Sequence, residues 1–346
     1  MLALDRRGLL VVTAEPFNAE SPSEALGPPL TPVDQHYIRS HFPVPDHDGV
    51  LRVGGAVDRP MAVTIDGLRA LPATTLTVTL ECAGNGRLAF HPFPGGEPWS
   101  WNAVGTATWT GVPLQEVLAR AGVRSDGTGV LFEGADHGPF EGAPDISYAR
   151  SMQLADVERW GRDILIAYAM NGEPLTPDHG APIRLVVPGW YAMASVKWLR
   201  SVRVISVPFE GAFQSASYVY HWPNGTHEPV TDMRVRALVT DPVAGSAVAQ
   251  GRRTIRGKAW SGGGTVSAVE VGIDGERTWH PASIGPPAGP HAWQEWELDW
   301  VAPAAGRHLI CARARDSSGA AQPDFAPLNA LGYGNNAVHP VIVDVR

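Results

Sequence analysis

From Arg234 to Arg346 no segment of the chain carries a helical period. Short runs alternate apolar and polar residues instead, at 235–238, 253–259, 266–273, 292–300, 308–315 and 338–345. Turn clusters separate them, at Ser261-Gly262-Gly263-Gly264, Asp274-Gly275 and Ser317-Ser318-Gly319. A period of two puts apolar side chains on one face of each strand, and such faces must be buried against another sheet. Strands of this length and spacing predict an all-β, immunoglobulin-like sandwich.

The preceding part mixes both periods. Residues 51–55, 130–133, 183–189 and 196–207 read as strands, the second running into a Gly/Asp loop and the third stopped by Pro188. Residues 163–169 read as a buried strand or short helix before the turn Asn171-Gly172. Residues 114–121 predict a helix closed by Gly122. Residues 31–41 predict a short helix, with Thr31 as N-cap and Pro32 at the first helical position. The expected fold is α+β: a mixed α/β domain over residues 1–230, then the sandwich over residues 231–346.

The net charge of −8 excludes nucleic acid as a bulk electrostatic partner. No run reaches the ~18 apolar residues of a membrane span. Arg6-Arg7-Gly8-Leu9-Leu10 faintly resembles a twin-arginine leader, but its apolar run is short of the ~7–15 residues of a secretory core. A cytoplasmic protein is expected. Cys82 and Cys311 are the only cysteines and make no disulfide framework.

Cys82 ends the strand-like run Leu76-Thr77-Val78-Thr79-Leu80-Glu81 and opens a small-residue loop, Ala83-Gly84-Asn85-Gly86-Arg87. Thiolate is the reactive and metal-binding form of cysteine, and a nearby arginine favours it. Cys82 is therefore a candidate nucleophile or soft-metal ligand; otherwise it is a buried, inert residue. Further clusters of basic residues sit beside Gly or Pro: Tyr37-Ile38-Arg39-Ser40-His41, Asp136-His137-Gly138, and Asp178-His179-Gly180 running on through Arg184 to Ser195-Val196-Lys197. Singly, His41 and His179 read as core or capping histidines, Arg184 as a solvated strand residue, and Asp136 as a loop or cap residue. Together they describe a basic pocket suited to a phosphate-bearing cofactor and a small oxyanion. The ligand spacings of zinc sites, the P-loop and the G-x-S-x-G elbow are absent from the sequence.

Glu81-Cys82-Ala83-Gly84-Asn85, Asp178-His179-Gly180, Val186-Val187-Pro188-Gly189 and Ser195-Val196-Lys197-Trp198-Leu199 resemble, in order and spacing, the sulfite oxidase family of molybdenum enzymes. The resemblance implies a molybdenum–molybdopterin cofactor with Cys82 as the protein's ligand to molybdenum. It implies that Tyr37, Ile38, Arg39, Ser40, His41, Asp136, His179, Arg184, Ser195, Val196 and Lys197 hold the pterin and its phosphate. It places Arg39, Arg87, Trp101 and Tyr218 around the oxyanion. It implies oxo transfer to sulfite, a homodimer formed through the sandwich, and a haem-free form whose electron acceptor is unspecified. Two cations of many relatives are missing, with Gly86 and Leu331 in their places, which widens the choice of oxyanion. Two other readings stand beside sulfite oxidation: reduction of nitrate or an S- or N-oxide, and a non-enzymatic oxyanion-binding protein.

Overall fold

The computed structural model describes residues 3–273 and 278–346. The expected turn at Asp274-Gly275 lies outside them. Among the described residues no helix is long and apolar enough to cross a membrane.

Two five-stranded sheets form the body of the first part, beside smaller sheets at residues 3–20 and 219–229. One is centred on Val104–Pro113, which pairs with Thr74–Glu81 on one side and Leu165–Met170 on the other. Leu165–Met170 also pairs with Glu173–Pro174 and Arg184–Val186. The second sheet runs in the order Met61–Thr64, Val50–Gly55, Leu199–Ile205, Gly129–Phe140, Ala143–Gln153, with Val50–Gly55 and Leu199–Ile205 parallel. The Leu114–Ala121 helix buries Leu114, Val117, Leu118 and Ala121, one stripe at helical spacing. Gly122 closes it in the left-handed region at φ 72°, donating to the Leu118 carbonyl. Eight residues are too few to hold a helix in water. Burial of each large aliphatic side chain contributes about 1.5–3 kcal/mol, so packing against the sheets keeps this helix folded.

The second part is a sandwich. Arg236–Asp241, Gly251–Trp260, Gln294–Ala302 and Ser283–Ile284 form one sheet. The other pairs Val266–Gly272, Gly306–Asp316 and His339–Val345, with Ala247–Val248 and Trp279–Pro281 at its edges. Ile255, Trp296 and Trp300 from the first sheet meet Val269, Ile310 and Val343 from the second in one apolar core.

The sandwich also completes the first part. Thr74–Glu81 is the edge strand of its sheet. Its outer side is covered by the chain leading into the sandwich strand Gln294–Ala302: Thr79 N donates to the His291 carbonyl at 2.9 Å, and Trp293 N donates to Thr79 Oγ1 at 2.7 Å. An exposed edge is thereby closed, and the strand that delivers Cys82 is gripped from both sides.

Three sequence expectations are corrected. Residues 31–41 form only a single 3-10 turn, Val33–Gln35. Thr31 is engaged by the sheet, with its N–H on the Thr106 carbonyl at 2.8 Å. Ile38 exchanges backbone hydrogen bonds with Ala19 at 2.9 and 3.0 Å, which holds the following residues extended. Asp136 lies within the Gly129–Phe140 strand, where the pairing register shifts between Glu133 and His137; such an irregularity re-aims a side chain without ending the strand. The strands expected at 183–189 and 196–207 shorten to Arg184–Val186 and Leu199–Ile205, so Ser195, Val196 and Lys197 precede the second one. The Arg6-Arg7 segment is part of the fold: Arg7 pairs with Asp5 and with Asp178 at 2.8 and 2.7 Å, and Leu9 is fully buried.

Candidate active site

Cys82 leaves the Thr74–Glu81 strand and turns at once. Its N–H donates to the Ala103 carbonyl and its carbonyl accepts from Asn85 N, both at 2.9 Å. The loop then closes on itself around Arg87. A Cβ at Gly84 would stand 2.8 Å from Arg87 Nη2, so only glycine lets the guanidinium lie against the Cys82 turn.

Two clefts meet at Cys82. One is lined by Tyr37, Ile38, Arg39, Ser40 and His41, by Asp136, His179, Arg184, Ser195 and Lys197, and by Cys82 and Tyr218. His36, Tyr148, Asp178 and Met193 are also among its lining; sequence reasoning placed Asp178 in a cluster but gave none of these four a role. Lys197 Nζ donates to Ser40 Oγ at 2.6 Å and to the Asp178 carbonyl at 2.9 Å. Arg184 lies over the Trp109 ring at 4.9 Å and donates to the His179 and Ser195 carbonyls at 3.1 and 3.0 Å. Its position in a strand suggested a solvated face, yet it is buried because its strand is covered by these loops. Val196 does not line the cleft: it is fully buried in the apolar core, and its carbonyl accepts from Leu185 N at 2.7 Å.

Burial dominates the titration of this cleft. It drives the His41 and His179 imidazoles well below their usual value and His36 down to about 4. It raises the Asp136 carboxyl and lowers the Lys197 ammonium. Asp136 Oδ1 is buried with no hydrogen-bond partner among the described residues. An orphaned carboxylate oxygen beside buried Arg and Lys donors marks a cavity built for a ligand that carries both N–H donors and an anionic group. A pterin phosphate is such a ligand, so the residues present fit molybdopterin.

The second cleft lies on the other side of Cys82. Arg39, His41, Arg87, Glu97, Trp99, Tyr218, Leu331 and Tyr333 line it. Arg87 is held by the Leu331, Gly332 and Glu97 carbonyls at 3.2, 3.3 and 3.1 Å and stands over the Tyr333 ring at 5.1 Å. The Tyr218 hydroxyl and His41 Nε2 are 2.7 Å apart. Trp101 is outside this cleft. It packs on His339 with ring centroids 4.3 Å apart and under the Arg236 guanidinium at 4.8 Å. Trp99 supplies the wall instead, fully buried, with its Nε1 unpartnered among the described residues. A pair of tryptophans two residues apart gave no sequence signal for which one turns inward. Glu20 decides it by binding Ser100 through both its backbone N–H and its hydroxyl. Gly86, at φ 83°, has no room for a side chain: a Cβ there would meet Arg236 Nη2 at 2.9 Å and Trp101 at 3.0 Å.

Burial pushes the Cys82 thiol up, with Arg39 and Arg87 pulling only partly against it. A coordinated metal deprotonates a thiol outright, so this position suits a ligand rather than a reactive thiolate.

Residues 41–213 match the oxidoreductase molybdopterin binding domain, and residues 227–346 match the Mo-co oxidoreductase dimerisation domain. Sulfite oxidase from Gallus gallus is 38% identical over 361 residues, covering 96% of this chain and 77% of that protein. The chain belongs to the sulfite oxidase family. It is a molybdenum-dependent oxidoreductase with a molybdopterin-binding domain, not a simple oxyanion-binding module. The family also takes in other activities. Nitrate reductase [NADH] 2 from Phaseolus vulgaris is 34% identical over 93% of this chain, which spans 40% of that protein. The crystal structure of the sulfane dehydrogenase SoxCD from Paracoccus pantotrophus superposes with a TM-score of 0.83 at 29% identity, over 97% of this chain and 88% of that one.

Proposed function

We propose that this protein oxidises sulfite to sulfate in the second cleft. The observation that carries the reading is the position of Cys82, shared by a cleft rich in buried donors and by a second cleft holding Arg39 and Arg87. When bound, the molybdenum cofactor supplies two-electron oxo transfer. The protein's work is to bind, orient and exclude. Arg184, Lys197 and Ser40 hold the pterin side, with Asp136 receiving its N–H donors. Cys82 holds the metal. Arg39 and Arg87 orient the substrate's oxygens and stabilise the negative charge of the product. Trp99 and Tyr333 wall the cleft and thin out water around these charges. Tyr218 keeps its hydroxyl at the junction of both clefts, oriented by His41.

Arg87 is the substrate contact that can be tested most cleanly, because three carbonyls already fix its position. Arg87→Gln is expected to raise the KM for sulfite at least about tenfold, the equivalent of ~1.4 kcal/mol of charge-assisted binding, in molybdenum-loaded protein with ferricyanide as acceptor. An unchanged KM would remove Arg87 from the substrate site.

The homodimer is a further part of the proposal, supported by the match of residues 227–346 to a dimerisation domain. Light scattering is expected to give twice the 36.9 kDa chain mass. A monomeric mass at micromolar concentration would dismiss it.

A further inference from the structure

The second cleft contains a negative charge of its own. Glu97 is the one carboxylate lining it among the described residues. Its Oε1 lies 3.4 Å from Arg39 Nη2 and its Oε2 lies 3.9 Å from Arg87 Nη1. Each oxygen thus faces a different arginine, as two oxygens of a bound oxyanion would. No other side chain is within ion-pair reach of this carboxylate among the described residues. The Glu97 side chain is 28% exposed, whereas the Arg87 side chain is 6% exposed. The carboxylate can therefore withdraw into water while the arginine stays. His41, also in the lining, is kept neutral by burial and adds no charge.

We propose that Glu97 is a specificity-determining residue: a resident counter-anion that the substrate displaces and that sets how much charge the substrate carries. This rests on the reading of the cleft as an oxyanion site. With Glu97 present, the two arginines are partly neutralised, and a singly charged oxyanion head is favoured over a doubly charged one. Coulomb energy scales with the charge of the incoming anion. Removing Glu97 must then help a dianion by about the square of the factor by which it helps a monoanion of the same shape.

The test uses calorimetric titration of molybdenum-loaded protein with sodium sulfate, a dianion, and sodium methanesulfonate, a monoanion with a similar head. Glu97→Gln keeps the shape and removes the charge. It is expected to tighten sulfate about tenfold and methanesulfonate about threefold, by that square relation. Glu97→Ser, which removes the same charge from a partly exposed loop position, is expected to reproduce the difference between the two anions. Equal tightening of both anions would mean that Glu97 only fills space, and would overturn the proposal. Unchanged affinities in both Glu97 variants, with sulfate weakened by Arg87→Gln, would overturn it while leaving the oxyanion site standing. Sulfate binding that responds to neither Glu97 nor Arg87 would overturn both.

Discussion

Cys82→Ser is expected to abolish sulfite-dependent turnover and to leave the fold in place. Both hydrogen bonds that shape the Cys82 turn use its backbone, and serine differs from cysteine by one atom at a buried site. The fold therefore has no reason to fail. The proposed pterin contacts on Arg184, Lys197 and Asp136 are likewise untouched, so pterin content is expected to stay near that of the parent protein. What changes is the donor: a soft thiolate suits a sulfur-ligated, redox-active metal, and a hydroxyl does not. Ferricyanide reduction with sulfite, measured beside pterin fluorescence of the denatured protein, separates loss of chemistry from loss of cofactor. Retained turnover would refute the ligand assignment.

The largest effect on stability is expected at Arg236. Glu81, the residue before Cys82, is almost fully buried and ion-pairs with Arg236 of the sandwich. Asn85 Nδ2 and Trp260 Nε1 also donate to it, at 2.9 and 2.8 Å. Both oxygens of this carboxylate are thus served, across the junction between the two parts of the chain. Arg236→Met would leave the charge buried without its cation, at a cost of about 3–5 kcal/mol. Pairing it with Glu81→Gln removes the stranded charge, and most of that loss is expected to return. Urea denaturation of the single and double variants measures both. A single variant within 1 kcal/mol of the parent protein would show that the pair contributes little.

Much of this was legible in the sequence, for identifiable reasons. Most sandwich strands announced themselves through an alternation of apolar, buried positions with polar, wetter ones. The 114–121 helix announced itself through its apolar stripe and the Gly122 stop. The first cleft was legible because most of its lining residues fall in compact clusters beside Gly or Pro. What stayed hidden depends on distant partners. Residues 36–41 are extended only because Ile38 pairs with Ala19. Trp99 rather than Trp101 faces the cleft only because Glu20 pins Ser100 between them. Arg236 and Glu81 are 155 positions apart, and no local pattern joins them. Glu97 was missed for the same reason, since a lone glutamate in a Gly/Pro loop looks like a solvated residue until its two arginines are seen.

The most direct test is a steady-state comparison of molybdenum-loaded protein given sulfite with ferricyanide, and nitrate with a reduced dye. Sulfite-dependent ferricyanide reduction that saturates, and disappears in Cys82→Ser, is the expected result. Nitrate-dependent dye oxidation without any turnover of sulfite would contradict sulfite oxidation and assign the cleft to a reductase.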